Sequence, residues 1–361
     1  MRRTATTTVE LLSELMQLMS LNPVLCRTSL HHYYYDPIVM ENGTNRHHSC
    51  SPDSEENLLA PYHYIRQMPG KHIRSELAKA FNVWLQIDPV KLDKIMELVE
   101  MLHNASLMID DIEDNSVLRR GLPVTHNVYG VPSTINTANY IYFMALSKCI
   151  QLDHPQAIVI FTEKMLELHR GQGKELYWRD SYTCPTEEDY ELMVKQKTGG
   201  LFSLAVQLMQ LFSTSSEDFT HLVNNLALYF QIRDDYVNLT SLEYAKEKSF
   251  AEDLTEGKFS YPIINAILSK HKTDERIMNI LRRRTTDNDV KRYCISLIRE
   301  QGAFGATESK LIRIMEDIVA NVDALQGNSL LSALLKKIDI MSGSNKVEHV
   351  QSENGEEKVE A

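Results

Sequence analysis

Cysteine is sparse in this chain. Five residues, Cys26, Cys50, Cys149, Cys184 and Cys294, are odd in number, scattered, and form no C-x-x-C pair. That argues against a disulfide framework and makes free thiols in a reducing compartment the expectation. Long apolar runs are missing as well. None reaches the ~18 residues that a membrane-spanning helix needs, and the early apolar stretch is broken by Glu10 and Glu14, which counts against a secretory leader. Positive charge is in deficit: 38 basic against 49 acidic residues give a net charge of −11. Nucleic acid and anionic membrane are therefore disfavoured as general partners, although a local basic pocket is not. Two-residue hairpin signals and period-two alternation are absent, which points away from strands. No Ser/His/Asp or Cys/His arrangement suggests a covalent nucleophile.

What the chain has is helical periodicity and 43% hydrophobic residues over 361 positions, enough for one large core. Residues 1–53 differ from the rest. They begin with Arg2, Arg3 and several threonines, pass an amphipathic stretch at 9–21, and end in a polar tract with His31, His32, His47 and His48. They read as a disordered extension, with a mitochondrial transit peptide as the alternative to a cytoplasmic protein. From 54 to 341 the pattern is helical almost without pause. Helices are expected at about 54–69, 71–85, 90–114, 132–150, 155–180, 185–212, 217–239, 257–268, 274–284, 287–301, 308–324 and 329–341, with a loop at 119–123. The charged segment 342–361 reads as a disordered tail.

Four carboxylates crowd the end of the 90–114 helix: Asp110, Asp111, Glu113 and Asp114. On a helix, Asp110 and Asp114 lie one turn apart on one face, with Asp111 at their shoulder. Oxygen ligands so placed suit a divalent metal with room for water and phosphate. An acidic helix end in water is the competing reading. A second cluster, Asp234 and Asp235 followed by Asn238, ends another apolar helical run. Two such clusters facing each other could hold several divalent ions with a polyphosphate between them. Cations accompany them. Lys71 and Arg74 lie one turn apart, Arg119 and Arg120 follow the first cluster, Lys197 and Thr198 precede a glycine pair that could kink a helix, and Lys248 and Lys258 flank an acidic stretch. His103 stands two turns before Asp110 on the same face, and Gln231 stands seven residues before Asn238.

The run 101–115 with Leu118-Arg119-Arg120-Gly121, then Gly171-Gln172-Gly173, Lys197-Thr198-Gly199-Gly200, Gln231-Ile232-Arg233-Asp234-Asp235-Tyr236 and Asp253-Leu254-Thr255-Glu256-Gly257-Lys258, resembles the trans-isoprenyl diphosphate synthases. Within that family the chain most resembles animal and fungal geranylgeranyl diphosphate synthases. The resemblance implies an all-α fold, a single isoprenoid-synthase-type helical bundle with a deep central cleft. It implies three Mg2+ ions held through Asp110, Asp111, Asp114 and Asp234. Arg119, Lys197, Thr198, Gln231, Lys248 and Lys258 would grip an allylic diphosphate, and Lys71, Arg74, His103 and Arg120 would hold isopentenyl diphosphate. The implied reaction is ionisation, condensation and proton loss, and the implied assembly is a homodimer or larger homo-oligomer.

Product length would follow the depth of the apolar cleft. Farnesyl synthases carry bulky aromatics where this chain has Ala105 and Ser106, so the cleft is expected to be open past C15. Tyr142, Phe143 and His169 match the floor of the geranylgeranyl type and favour a C20 product. Glu175 stands where the family often has Asp, which puts its metal geometry in question. A terpene synthase and a non-catalytic subunit are the alternatives. The intact isopentenyl site speaks against the first and the retained aspartates against the second.

Overall fold

A computed structural model describes residues 55–67, 73–241, 250–269 and 275–339. The expected extension at 1–53 and tail at 342–361 lie outside these residues, as do Lys71 and Lys248.

The all-α expectation holds. Helices α1 (Glu55–Arg66), α2 (Ile73–Leu85) and α3 (Pro89–Glu113) are followed by strands β1 (Leu118–Arg119) and β2 (Leu122–Pro123). Then come α4 (Thr125–Tyr129), α5 (Val131–Ile150), α6 (Pro155–Ser181), α7 (Glu187–Gln210), α8 (Thr220–Thr240), α9 (Glu252–Glu256), α10 (Tyr261–Leu268), α11 (Arg276–Arg283), α12 (Asn288–Glu300), α13 (Ala303–Ala324) and α14 (Ser329–Ile338).

The long helices start where their sequences provide caps. Asp88 accepts hydrogen bonds from the backbone N–H groups of Val90 (2.9 Å) and Lys91 (3.2 Å), with Pro89 in the first turn of α3. Thr186 caps α7 through the N–H of Asp189 at 3.1 Å, and the first-turn acids Glu187, Glu188 and Asp189 favour the positive end of the helix dipole. Helix α6 packs along α7, and α7 along α8; α3 lies against α5 and α7, and α13 backs α8. Leu222, Leu226, Tyr229 and Ile232 bury one face of α8, each contributing roughly 1.5–3 kcal/mol relative to exposure. Trp84 Nε1 donates to Leu325 O at 2.8 Å and ties α2 to the end of α13.

Several elements differ from expectation, among them α4, which was not expected, and α13, which begins at Ala303 and not at 308. The segment expected as a loop is a two-residue hairpin: Arg119 pairs with Leu122, and the turn residues Arg120 and Gly121 both have positive φ, +53° and +78°. That turn matches the twist of paired strands and ordinarily calls for Asn-Gly, which is why the sequence concealed it. The expected helix at 257–268 begins only at Tyr261, because Gly257 at φ +75° ends the short helix α9. Helix α7 passes through Gly199-Gly200 unbroken with both glycines buried, so the pair does not kink it.

Candidate active site

A cavity of about 590 Å3 is bordered by α2, α3, α6, α7 and α8. One end is polar. Asp110 and Asp114 reach it from α3, and Asp234 from α8. Lys197 and Thr198 come from α7, Gln231 from α8 and Lys258 from the segment after α9. Arg74, His103, Arg119 and Arg120 line the same space. The rest is mainly apolar, with Phe81, Ile95, Val99, Phe202, Val206 and Leu226 among its walls.

The two adjacent aspartates of each cluster have separate jobs. Asp110 faces the cavity, whereas Asp111 is 1% exposed and does not line it. Arg119 grips Asp111 with a fork: Nη2 to Oδ1 at 2.6 Å, and Nε to Oδ1 and Oδ2 at 2.8 and 3.0 Å. Of the aspartates expected to ligate metal, Asp111 is thus the one whose carboxylate is turned to Arg119, while Asp110 and Asp114 face the cavity. The second cluster repeats the division. Asp234 lines the cavity, while buried Asp235 accepts from Tyr190 Oη (2.6 Å), the Tyr261 N–H (2.8 Å) and Gln231 Nε2 (2.9 Å).

Carboxylates and cations meet directly across the polar end. Lys197 Nζ lies 3.2 Å from Asp110 Oδ1 and also bonds to Glu175 Oε2. Arg119 Nη2 lies 3.6 Å from Asp110 Oδ2, and Lys258 Nζ lies 3.6 Å from Glu175 Oε1. Burial opposes charge on Asp110, but Lys197, Arg119 and Lys258 hold its carboxyl well below the usual carboxylate range. Asp114 goes the other way: burial first, then the charges of Asp110 and Glu256, push it well above that range. Close approach of two helices makes this geometry available. A Cβ built on Gly171 of α6 would stand 2.6 Å from the Lys197 backbone nitrogen, so only glycine lets α7 bring Lys197 this near.

Arg74, His103 and Arg120 form the basic corner. Burial and Arg120 lower Arg74 to about 10, still far above neutrality. Burial, then Arg74, Arg119 and Arg120, push His103 well below its ordinary value, so the imidazole is neutral here. The hairpin aims both arginines. Tyr64 Oη anchors it by donating to Pro123 O at 2.8 Å. Holding the non-glycine Arg120 at positive φ costs on the order of 1 kcal/mol, strain of the kind found at functional sites.

The chain-length residues divide. Ser106, Tyr142 and His169 line the cavity, with the Tyr142 and His169 rings edge to face at 6.0 Å. Ala105 is fully buried behind the wall, and Phe143 is 70% exposed on the outer side of α5. Phe143, expected with them at the floor, does not line the cavity within this one chain. Glu113, Gln172, Asp253 and Glu256 also line the site without having been assigned a role from sequence. Gln172 Nε2 donates to Glu113 Oε2 at 2.7 Å. Glu113 lies three residues from Asp110 on the same face, so helical spacing could have found it.

A bound divalent ion suits this donor set. The cavity-facing side chains of both clusters, Asp110, Asp114 and Asp234, present hard carboxylate oxygens. Among the described residues, no three acidic, His or Cys side chains converge on one point.

Residues 55–298 match the sequence profile of the polyprenyl synthetase family. The chain is 53% identical over 290 residues to a terpene synthase of Matsumurasca onukii, covering 80% of this chain and 95% of that one. It is 48% identical over 301 residues to a geranylgeranyl pyrophosphate synthase of Mucor circinelloides f. lusitanicus, covering 83% and 98%. It is 45% identical over 286 residues to a geranylgeranyl pyrophosphate synthase of Dictyostelium discoideum, covering 79% and 94%. On this profile match and these identities, the chain belongs to the polyprenyl synthetase family.

Proposed function

We propose that this chain is a geranylgeranyl diphosphate synthase, condensing isopentenyl diphosphate with allylic diphosphates, mainly the C15 one, to give a C20 product and diphosphate. The observation that carries this reading is the coexistence, in one cavity, of the Asp110/Asp114/Asp234 walls and the Arg74–His103–Arg120 corner. The first suits a leaving diphosphate and the second a retained one.

Lys197, Arg119 and Lys258 would bind the allylic diphosphate. Asp110, Asp114 and Asp234 would hold Mg2+, three ions by resemblance, which when bound neutralises the departing diphosphate as a Lewis acid. The allylic C–O bond breaks with its electron pair going to diphosphate. The isopentenyl alkene then forms the new C–C bond, and loss of a proton, taken up by the diphosphate, restores neutrality. Arg74 and Arg120 hold the isopentenyl diphosphate as cations, and neutral His103 does so as a hydrogen-bond donor. Thr198 Oγ1 donates its proton to Gln231 Oε1 at 2.8 Å. Only lone pairs of that hydroxyl remain for the cavity, which suits a neighbouring allylic cation. Ser106 satisfies its own hydroxyl by donating to His103 O at 2.8 Å, so the wall before the first aspartate stays apolar and low.

The 53% identity to a terpene synthase supports a second reading, in which the same fold ionises a prenyl diphosphate without consuming isopentenyl diphosphate. Retention of Arg74, His103 and Arg120 around one cavity favours condensation. Incubation with isopentenyl diphosphate and each allylic partner, followed by product analysis, separates the two.

Assembly and location belong to the same proposal. Phe143, Ile150, Leu166 and Tyr177 are at least half exposed on neighbouring helices α5 and α6. Exposed apolar side chains on adjacent helices suit burial against a second copy. A homodimer in sedimentation, lost on Phe143→Glu, is the expected result. Free Cys149, Cys184 and Cys294 suit a reducing compartment such as the cytoplasm.

A further inference from the structure

Arg179 has no part in the chemistry above, yet it is one of the most enclosed cations among the described residues, 7% exposed in the last turn of α6. A buried guanidinium needs partners, and its partners are informative. Nη1 donates to Asp114 Oδ1 at 2.8 Å and to the Glu113 backbone carbonyl at 3.0 Å. It therefore holds the cavity-facing carboxylate of the first cluster and also caps the C-terminal end of α3, where a cation is favoured by the helix dipole. Its Nε donates to Asp180 Oδ1 at 3.0 Å, and the same oxygen accepts from Arg284 Nη2 at 2.7 Å. Arg284 in turn lies against Gly257, where an added Cβ would come within 3.2 Å of its side chain. The next residue is Lys258, which lines the cavity. A chain of contacts thus runs from Asp114 through Arg179, Asp180 and Arg284 to Gly257, the neighbour of Lys258.

We propose that Arg179 is a positioning residue for the first aspartate cluster. It fixes the rotamer of Asp114 and the end of α3, and through Asp180 and Arg284 it sets the spacing between that cluster and the wall carrying Lys258. This rests on the reading of Asp114 as a metal ligand. A guanidinium suits the task because its planar fork satisfies a carboxylate, a carbonyl and a second carboxylate in fixed directions; an ammonium cannot. Arg179 touches neither substrate nor reacting atoms in this scheme, so its effect should appear in metal affinity rather than in the chemical step.

The test uses the full chain with Arg179→Gln and Arg179→Lys. Hydrogen exchange of the metal-free protein reads the amides of Asp114, Asn115 and Ser116, which bond to Asp110 O, Ile112 O and Asp111 O. The expected result for Arg179→Gln is exchange about tenfold faster at these amides and unchanged in α8. With Mg2+ and inorganic pyrophosphate, the Mg2+ concentration giving half-maximal protection should rise roughly 10-fold or more, as for other residues that orient metal ligands. Arg179→Lys should recover part of both effects. In turnover, the Mg2+ midpoint should shift while the saturated rate stays within a few-fold. Unchanged exchange at 114–116, a uniform increase throughout the chain, or a fall in saturated rate at an unchanged Mg2+ midpoint would each overturn the proposal. The exchange and pyrophosphate arms require no condensation. If wild type made no prenyl product, that would refute the synthase reading while these arms still decided the role of Arg179.

Discussion

Lys197 Nζ sits 3.2 Å from Asp110 Oδ1 while also bonding to Glu175. The ammonium expected to grip a diphosphate is thus held by carboxylates before any substrate arrives. Glu175, placed by its extra methylene against Lys197 and near Lys258, serves here to keep two cations together. On the proposed function, Asp110 would exchange Lys197 for a metal, and Lys197 would exchange its carboxylates for phosphate oxygens.

Asp110→Ala should therefore reduce turnover by about 1000-fold or more while leaving the fold intact, because a carboxylate facing the cavity contributes little to packing. Steady-state rates with saturating Mg2+, together with circular-dichroism melting, measure both quantities. Near-wild-type turnover would refute the metal assignment.

Asp111→Ala should behave differently. It removes one half of a buried pair and leaves Arg119 without its fork. Unfolding free energy should fall by about 3–5 kcal/mol, seen as a lower midpoint in urea titration. A variant as stable as Asp110→Ala would contradict the division of labour between the adjacent aspartates.

Ser106→Tyr should shorten the product toward C15, because Ser106 lines the cavity. Ala105→Phe is a less direct probe. Ala105 is completely buried, so a phenyl ring there should also cost about 1–3 kcal/mol through overpacking. Product chain length and melting temperature, measured on both variants, should show shortening without destabilisation only for Ser106→Tyr.

His103 predicts a pH effect. Its folded-state value lies well below the ordinary histidine range, first through burial and then through the three arginines around it. The unfolded chain then takes up the proton first. Stability from this group is complete above about pH 6.5 and is lost as pH falls below that value. His103→Asn removes the effect. Chemical denaturation at about pH 7, 6 and 5 should show wild type losing stability relative to the variant as pH falls, whereas a constant difference would contradict it.

Much of this architecture was legible in the sequence. Helical spacing located α3 and α8, and Asp110, Asp114 and Asp234 were expected in one cleft and line one cavity. What the sequence concealed depends on the direction of individual side chains. Adjacent aspartates look equivalent in a string, yet a helix turns successive residues by about 100°, and that rotation sends Asp111 to Arg119 and not to the cavity. Phe143 follows Tyr142 and is turned outward for the same reason. The Arg120-Gly121 turn lacked its customary Asn-Gly signal. Arg179 carried none, since the residues it holds at the end of α3, Glu113 and Asp114, lie more than 60 residues away in the chain.

The most direct test of the central claim is product analysis after incubation with Mg2+, isopentenyl diphosphate and the C15 allylic diphosphate. The account predicts consumption of isopentenyl diphosphate and accumulation of the C20 diphosphate, with the C5 and C10 partners elongated to the same end. A C15 hydrocarbon or alcohol formed with no isopentenyl diphosphate consumed would contradict it.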